Sequence, residues 1–189
     1  MVECDRYWFL TWTTYGTWLP GDARGFVSNV RHGPGPKVRH NQLGTEYDAD
    51  MPGLERAARA NLVGDPVRLN RDQAEQLFDQ FQETERIRGW RLFAVAIMAN
   101  HCHLVTGVPG DPDPKRLLQD FKSYGSGRLN RHWPRPESGT WWTESGSKRK
   151  LPDDDAVLAA IRYVINQQHP LLISTVPIPE LNLPGGRII

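Results

Sequence analysis

Cysteine is scarce in this chain: Cys4 and Cys102 are its only thiols in 189 residues. Two cysteines make no disulfide framework, and Cys102 is expected to pack as a small apolar residue. No run approaches the ~18–20 apolar residues that a membrane span needs. The opening Met-Val-Glu-Cys-Asp-Arg lacks the basic-then-apolar order of a signal peptide, so a cytoplasmic location without a membrane partner is expected. Internal repeats are missing as well. Net charge is only +1, so bulk charge does not announce a nucleic-acid binder. What is left is ordinary globular composition, 39% hydrophobic and 24% charged, at a length that gives one domain a real core.

Tryptophan and locally clustered charge are what the chain does have. Seven tryptophans fall in two groups, Trp8/Trp12/Trp18 and Trp133/Trp141/Trp142, with Trp90 apart. Such rings are core residues or surfaces on which unpaired bases stack. From Lys115 to Lys150 run Lys115, Arg116, Lys122, Arg128, Arg131, Arg135, Lys148, Arg149 and Lys150, against Asp120, Glu137 and Glu144. That segment is basic although the whole is not.

Aromatic and β-branched residues from Tyr7 to Tyr15 predict a strand ending at Gly16. Residues 23–53 have neither helical nor alternating period and read as a loop insert, whose Arg24, Arg31, His32, Lys37, Arg39 and His40 could touch phosphates. Alanines between Glu55 and Val63 suit a short helix. Asn70 with Gln73 forms a capping-box pattern; Ala74, Leu77, Phe78 and Phe81 follow at helical spacing and Gly89 closes the run. Arg91–Met98 and His103–Val108 are short apolar runs around Ala99-Asn100, which suits an antiparallel hairpin. Asp113 and Pro114 start a second helix, with Leu117, Leu118, Phe121 and Tyr124 on one stripe. Trp141 to Thr143 suits a short strand, and Glu144 to Leu151 a polar, basic loop. Asp153 to Gln167 is a third helix, acidic in its first turn. An extended tail follows from Pro170.

This order predicts an α+β fold: a ferredoxin-like antiparallel sheet covered by helices on one face. One domain would span 1–169, with its insert at about 23–53 and a tail at 170–189.

Alternation along a strand puts His101 and His103 on one face, with Cβ atoms roughly 6–7 Å apart. Two imidazoles at that spacing can share a divalent metal, although a His-x-His pair also arises by chance. Its surroundings are more specific. Ile97-Met-Ala-Asn-His-Cys-His-Leu-Val105 resembles the His-hydrophobic-His strand of the HUH single-tyrosine transposases, which include insertion-sequence and REP-associated tyrosine transposases. The aromatic first strand, the basic helix Phe121-Lys-Ser-Tyr-Gly-Ser-Gly-Arg-Leu-Asn130 and the late Arg162-Tyr163-Val164 follow in matching order. So does the opening Trp8 to Asp22. The resemblance covers most of residues 7–168 and implies the HUH endonuclease fold.

It also implies a chemistry. A tyrosine would attack a phosphodiester of single-stranded or hairpin DNA, leaving a 5′-phosphotyrosine and a free 3′-hydroxyl. The bond energy kept in the covalent intermediate allows rejoining. Tyr124 is the expected nucleophile, because it continues the buried stripe of its helix; Tyr163 is the rival. His101 and His103 would hold Mg²⁺ or Mn²⁺. Such proteins commonly supply a third ligand (Gln, Asn or His) one turn after the tyrosine, and Arg128 stands there after Tyr124. Asp120 or Asn130, or else His132 or Glu144, would have to substitute, and Arg128 can instead hold a phosphate. Lys122, Arg128, Arg131, Trp142, Lys148, Arg149 and Lys150 are the expected DNA contacts. The resemblance leaves room for a homodimer. The altered ligand position supports a second reading, a DNA-hairpin-binding protein with little cleavage activity. A third is a small structural metal-binding domain, which the basic tryptophan-rich segment disfavours.

Overall fold

The computed structural model describes residues 4–23, 51–177 and 186–188. Six strands form one antiparallel sheet: β1 (Arg6–Thr13), β2 (Arg91–Ile97), β3 (His101–Val108), β4 (Ser147–Leu151), β5 (Leu172–Thr175) and β6 (Gly186–Ile188), in the order β4-β1-β3-β2-β5-β6. The helices are α1 (Pro52–Ala60), α2 (Arg71–Arg88), α3 (Pro114–His132) and α4 (Asp154–Ile165). The run β1-α2-β2-β3-α3-β4 with sheet order 4-1-3-2 is the ferredoxin-like arrangement, and the α+β antiparallel class is as the sequence indicates.

Local sequence explains the element ends. The Asn70 side chain accepts from the Gln73 N–H at 2.9 Å, while the Gln73 side chain accepts from the Asn70 N–H at 2.9 Å. Gly89 ends α2 in the left-handed region at φ 65°, where a side chain would be strained. Asp113 and Asp153 cap α3 and α4 through Lys115 N–H and Ala156 N–H.

The sheet is covered on both faces, which the sequence reading did not anticipate. Trp8, Leu10, Trp12, Val95, Ile97, Cys102 and Leu104 point to α2 and α3 and share a core with Leu77, Phe81, Leu117 and Phe121. The alternate residues Ala94, Ala96, Val105 and Ile173 point the other way and pack under Val157, Ala160, Ile161 and Val164 of α4. Small residues on this second face leave room for a single helix lying close. A bulge between Leu92 and Ala94 resets the alternation of β2, so Phe93 and Ala94 both serve the α4 side.

Two expectations at the ends of the sheet are corrected. Trp142 contributes only an isolated bridge to Thr14, and the strand lies instead at Ser147–Leu151, in the segment expected to be a loop, because its backbone can pair with the open edge of β1. Residues 172–175, expected in an extended tail, pair with β2 as β5. The insert's own basic residues and histidines, from Arg24 to His40, lie outside the described residues.

Candidate active site

His101 and His103 stand at the start of β3, where Thr13 and Thr11 of β1 face them and Ala96 of β2 lies across from His103. Their rings meet edge to face with centroids 4.6 Å apart. The turn before them is pinned from outside the hairpin: the Asn100 carbonyl accepts from the Thr14 N–H at 2.9 Å and from the Thr17 hydroxyl at 3.1 Å. Asn100 Oδ1 lies 2.7 Å from His101 Nδ1. An amide oxygen only accepts, so this contact puts the proton on Nδ1 and the lone pair on Nε2.

His103 is 5% exposed. Its Nδ1 is 2.8 Å from the Thr11 hydroxyl, Phe9 stacks on its ring at 5.6 Å and 21°, and its Nε2 has no hydrogen-bond partner among the described residues. Burial first, and the neighbouring His101 second, lower its pKa to about 3. The imidazole is therefore neutral at physiological pH. A buried, unprotonated ring nitrogen without a partner costs free energy unless something accepts its lone pair. With the other nitrogen of each ring engaged, the pair has the arrangement that orients histidines toward a cation. The residues fit a metal in that respect. They are two, however, and no group of three His, Cys, Asp or Glu side chains that could hold a metal occurs among the described residues.

Tyr163 completes the cluster. It projects from α4 with its ring 5.4 Å from that of His103, edge on at 83°, and 5.7 Å from that of Phe9. It is 52% exposed, so a substrate can reach it. Gln167 follows four residues later, and its amide donates to the Tyr163 carbonyl at 3.1 Å.

Tyr124 lies elsewhere. The buried face of α3 belongs to the core on the other side of the sheet, so the sheet separates Tyr124 from the histidines. Its ring is 44% exposed, its hydroxyl accepts from Arg88 at 2.8 Å, and it flanks the buried stripe rather than continuing it. The expectation that Tyr124 approaches the histidine pair is thus corrected. Asp120 and Asn130 are on the same wrong side. Arg88 Nε lies 2.9 Å from Asp120 Oδ2 in an ion pair, and Asn130 accepts from the Trp141 indole N–H at 2.8 Å. Neither can serve as a third ligand to that pair.

The expected DNA contacts also divide. Trp142 is 4% exposed, donates to the Lys122 carbonyl at 3.0 Å and meets Trp12 edge on at 6.1 Å. It is core and offers no face to a base. The Lys122 ammonium donates to the Thr143 and Ser145 carbonyls at 2.6 and 2.7 Å, and burial, then Lys148, lowers its pKa to about 8. It holds the loop before β4. Arg128 pairs with Glu83 at 3.3 Å. Arg131, Arg149 and Lys150 are exposed and Lys148 half-buried.

Residues 66–167, more than half the chain, match the family described as Transposase IS200 like. The chain belongs to that transposase family. The matched span contains both histidines and both tyrosines considered above. No curated protein matches. Two solved structures share low identity with this family member. One is of a REP-associated tyrosine transposase bound to a REP hairpin, at 13% identity and TM-score 0.46, covering 87% of this chain and 67% of that one. The other is a chain from Deinococcus radiodurans assigned as a transposase, at 15% identity and TM-score 0.39, covering 89% and 95%. Membership rests on the sequence match. As for membranes, no helix among the described residues is long and apolar enough to cross one.

One signal in the sequence pointed to Tyr163. The third-ligand pattern asks for Gln, Asn or His one turn after the tyrosine; Arg128 fails it after Tyr124, and Gln167 satisfies it after Tyr163.

Proposed function

We propose that the protein is a metal-dependent endonuclease and strand transferase of single-stranded or hairpin DNA, with Tyr163 as its nucleophile. One observation carries this reading: Tyr163 stands against His103, whose buried Nε2 has no hydrogen-bond partner among the described residues. His101 and His103, with Gln167 supplying an amide oxygen, would hold Mg²⁺ or Mn²⁺. When bound, that cation supplies electrostatic stabilisation of charge developing on the scissile phosphate.

The chain's own residues do the rest. The Tyr163 oxygen forms a bond to phosphorus as the bond to the 3′-oxygen breaks, and the phenolic proton ends on the released 3′-hydroxyl. The product is a 5′-phosphotyrosine, and attack by another 3′-hydroxyl reverses the step and rejoins the strands. Phe9 and Thr11 fix the ring of His103, and Asn100 fixes that of His101. The low pKa of His103 keeps its lone pair available. Position 128 motivated the reading of a cleavage-poor hairpin binder, and that motive disappears once Gln167 occupies the ligand position.

The test uses protein, Mn²⁺ and labelled hairpin DNA, resolved on a denaturing gel. A covalent adduct is expected with wild type and with Tyr124→Phe, and none with Tyr163→Phe. Wild type that binds DNA without ever forming an adduct would refute the proposal. An adduct that survives Tyr163→Phe and disappears with Tyr124→Phe would return the role to Tyr124.

A further inference from the structure

The run Lys148-Arg149-Lys150 reads as one cationic patch in sequence, but pairing with β1 splits it across the sheet. Lys148 and Lys150 stand opposite Leu10 and Trp8, which point toward α2 and α3, whereas Arg149 stands opposite Phe9 on the histidine face. The two lysines are also engaged. Lys148 donates to the Gly146 carbonyl at 2.6 Å, and Lys150 lies 4.0 Å from the Asp111 carboxylate. Arg149 has no carboxylate partner among the described residues. Its guanidinium sits 5.7 Å from the centroid of Phe9, the ring that stacks on His103 and meets Tyr163 edge on. A cation–π contact orients a guanidinium without consuming its N–H donors. An exposed arginine held this way at the rim of the His103–Tyr163 cluster, its fork without a carboxylate among the described residues, is suited to receive an anion.

We infer that Arg149 binds a phosphodiester of the DNA strand beside Tyr163, seating the phosphate for attack, and that Lys148 and Lys150 take no part in that step. The inference rests on the proposed transferase reading and adds a phosphate-contacting residue contributed by the edge strand. An arginine fork engages two phosphate oxygens at once, so it fixes the orientation of the phosphorus as well as its position.

Two measurements test it on the full chain. The first is the rate of adduct formation with Mn²⁺ and saturating hairpin DNA. Arg149→Ala should slow it on the order of tenfold or more, as loss of an aimed donor does, with melting temperature unchanged, and Arg149→Lys should recover part of the loss. Lys148→Ala and Lys150→Ala should react at the wild-type rate. An unchanged rate in Arg149→Ala overturns the inference. The second needs no chemistry: the ring-proton NMR signals of His103 and Phe9 are followed while a short oligothymidylate is added. They should move in wild type and stay put in Arg149→Ala. If they move equally in both, or in neither, Arg149 does not seat the strand. Should wild type give no adduct, the transferase reading fails, and the NMR comparison still decides whether Arg149 draws DNA to this face.

Discussion

Acidifying the metal-free protein should expose the cost of keeping His103 neutral. Its folded pKa is about 3 and an unfolded imidazole titrates near 6.5, so between those values the unfolded chain binds the proton and the native state does not. Stability is fully present above pH 6.5 and is lost as pH falls toward 3. The two-state linkage expression gives a loss of about 2 kcal/mol between pH 7.5 and pH 5. That figure depends on the unfolded pKa and on the folded one lying below 5, because at pH 5 the native ring is still unprotonated. Urea unfolding in chelator, for wild type and His103→Gln, isolates the effect, since carboxylates and the other histidines titrate in both. The stability difference between the two proteins should shrink by about 2 kcal/mol over that range. Parallel stability–pH curves would refute the account of a desolvated, lone-pair-bearing His103.

Adding Mn²⁺ at about 100 times its Kd should stabilise wild type by about 2.7 kcal/mol by mass action, read as a rise in melting temperature; a rise that persists in His101→Ala/His103→Ala would show that the ion binds elsewhere. Asn70→Ala removes the capping box at the start of α2 and should cost about 1 kcal/mol in denaturant unfolding, while leaving adduct formation intact. Trp142→Ala should lower stability by about 3–5 kcal/mol, because the ring is core; hairpin binding measured where the variant is still folded should be unaffected, and a selective binding loss would restore its role as a stacking surface. A β-carbon at Gly125 would lie 2.9 Å from Leu77 Cδ2, so Gly125→Val should force α2 and α3 apart at a cost of about 1–3 kcal/mol, visible as a lowered urea midpoint.

Local chemistry was written plainly enough to be read directly. The Asn70–Gln73 box and Gly89 bound α2 because caps satisfy orphan backbone groups whatever the helix later packs on. The pair His101/His103 shares a face because a strand has a period of two. The β2–β3 hairpin follows from two apolar runs with almost nothing between them. These features depend on neighbours a few residues away. A basic edge strand at Ser147–Leu151 was hidden, since lysines and arginines suit a loop until an open sheet edge supplies their backbone with partners.

The sequence by itself therefore determined the helices, the β2–β3 hairpin, the ferredoxin-like order and the two histidines as a unit, but neither edge strand β4 nor β5. Only the tertiary structure decided which tyrosine stands with them. The apolar stripes of α3 and α4 each show that a helix buries one side, and neither says against which face of the sheet. Connections between parallel strands are right-handed in nearly all sheets, which sets the two crossover helices α2 and α3 on one face together. The alternation of β3 turns Cys102 and Leu104 toward that face and the histidines away from it. Tyr124 is thereby cut off by the sheet, α4 closes the other side, and Tyr163 arrives beside His103 with Gln167 one turn behind.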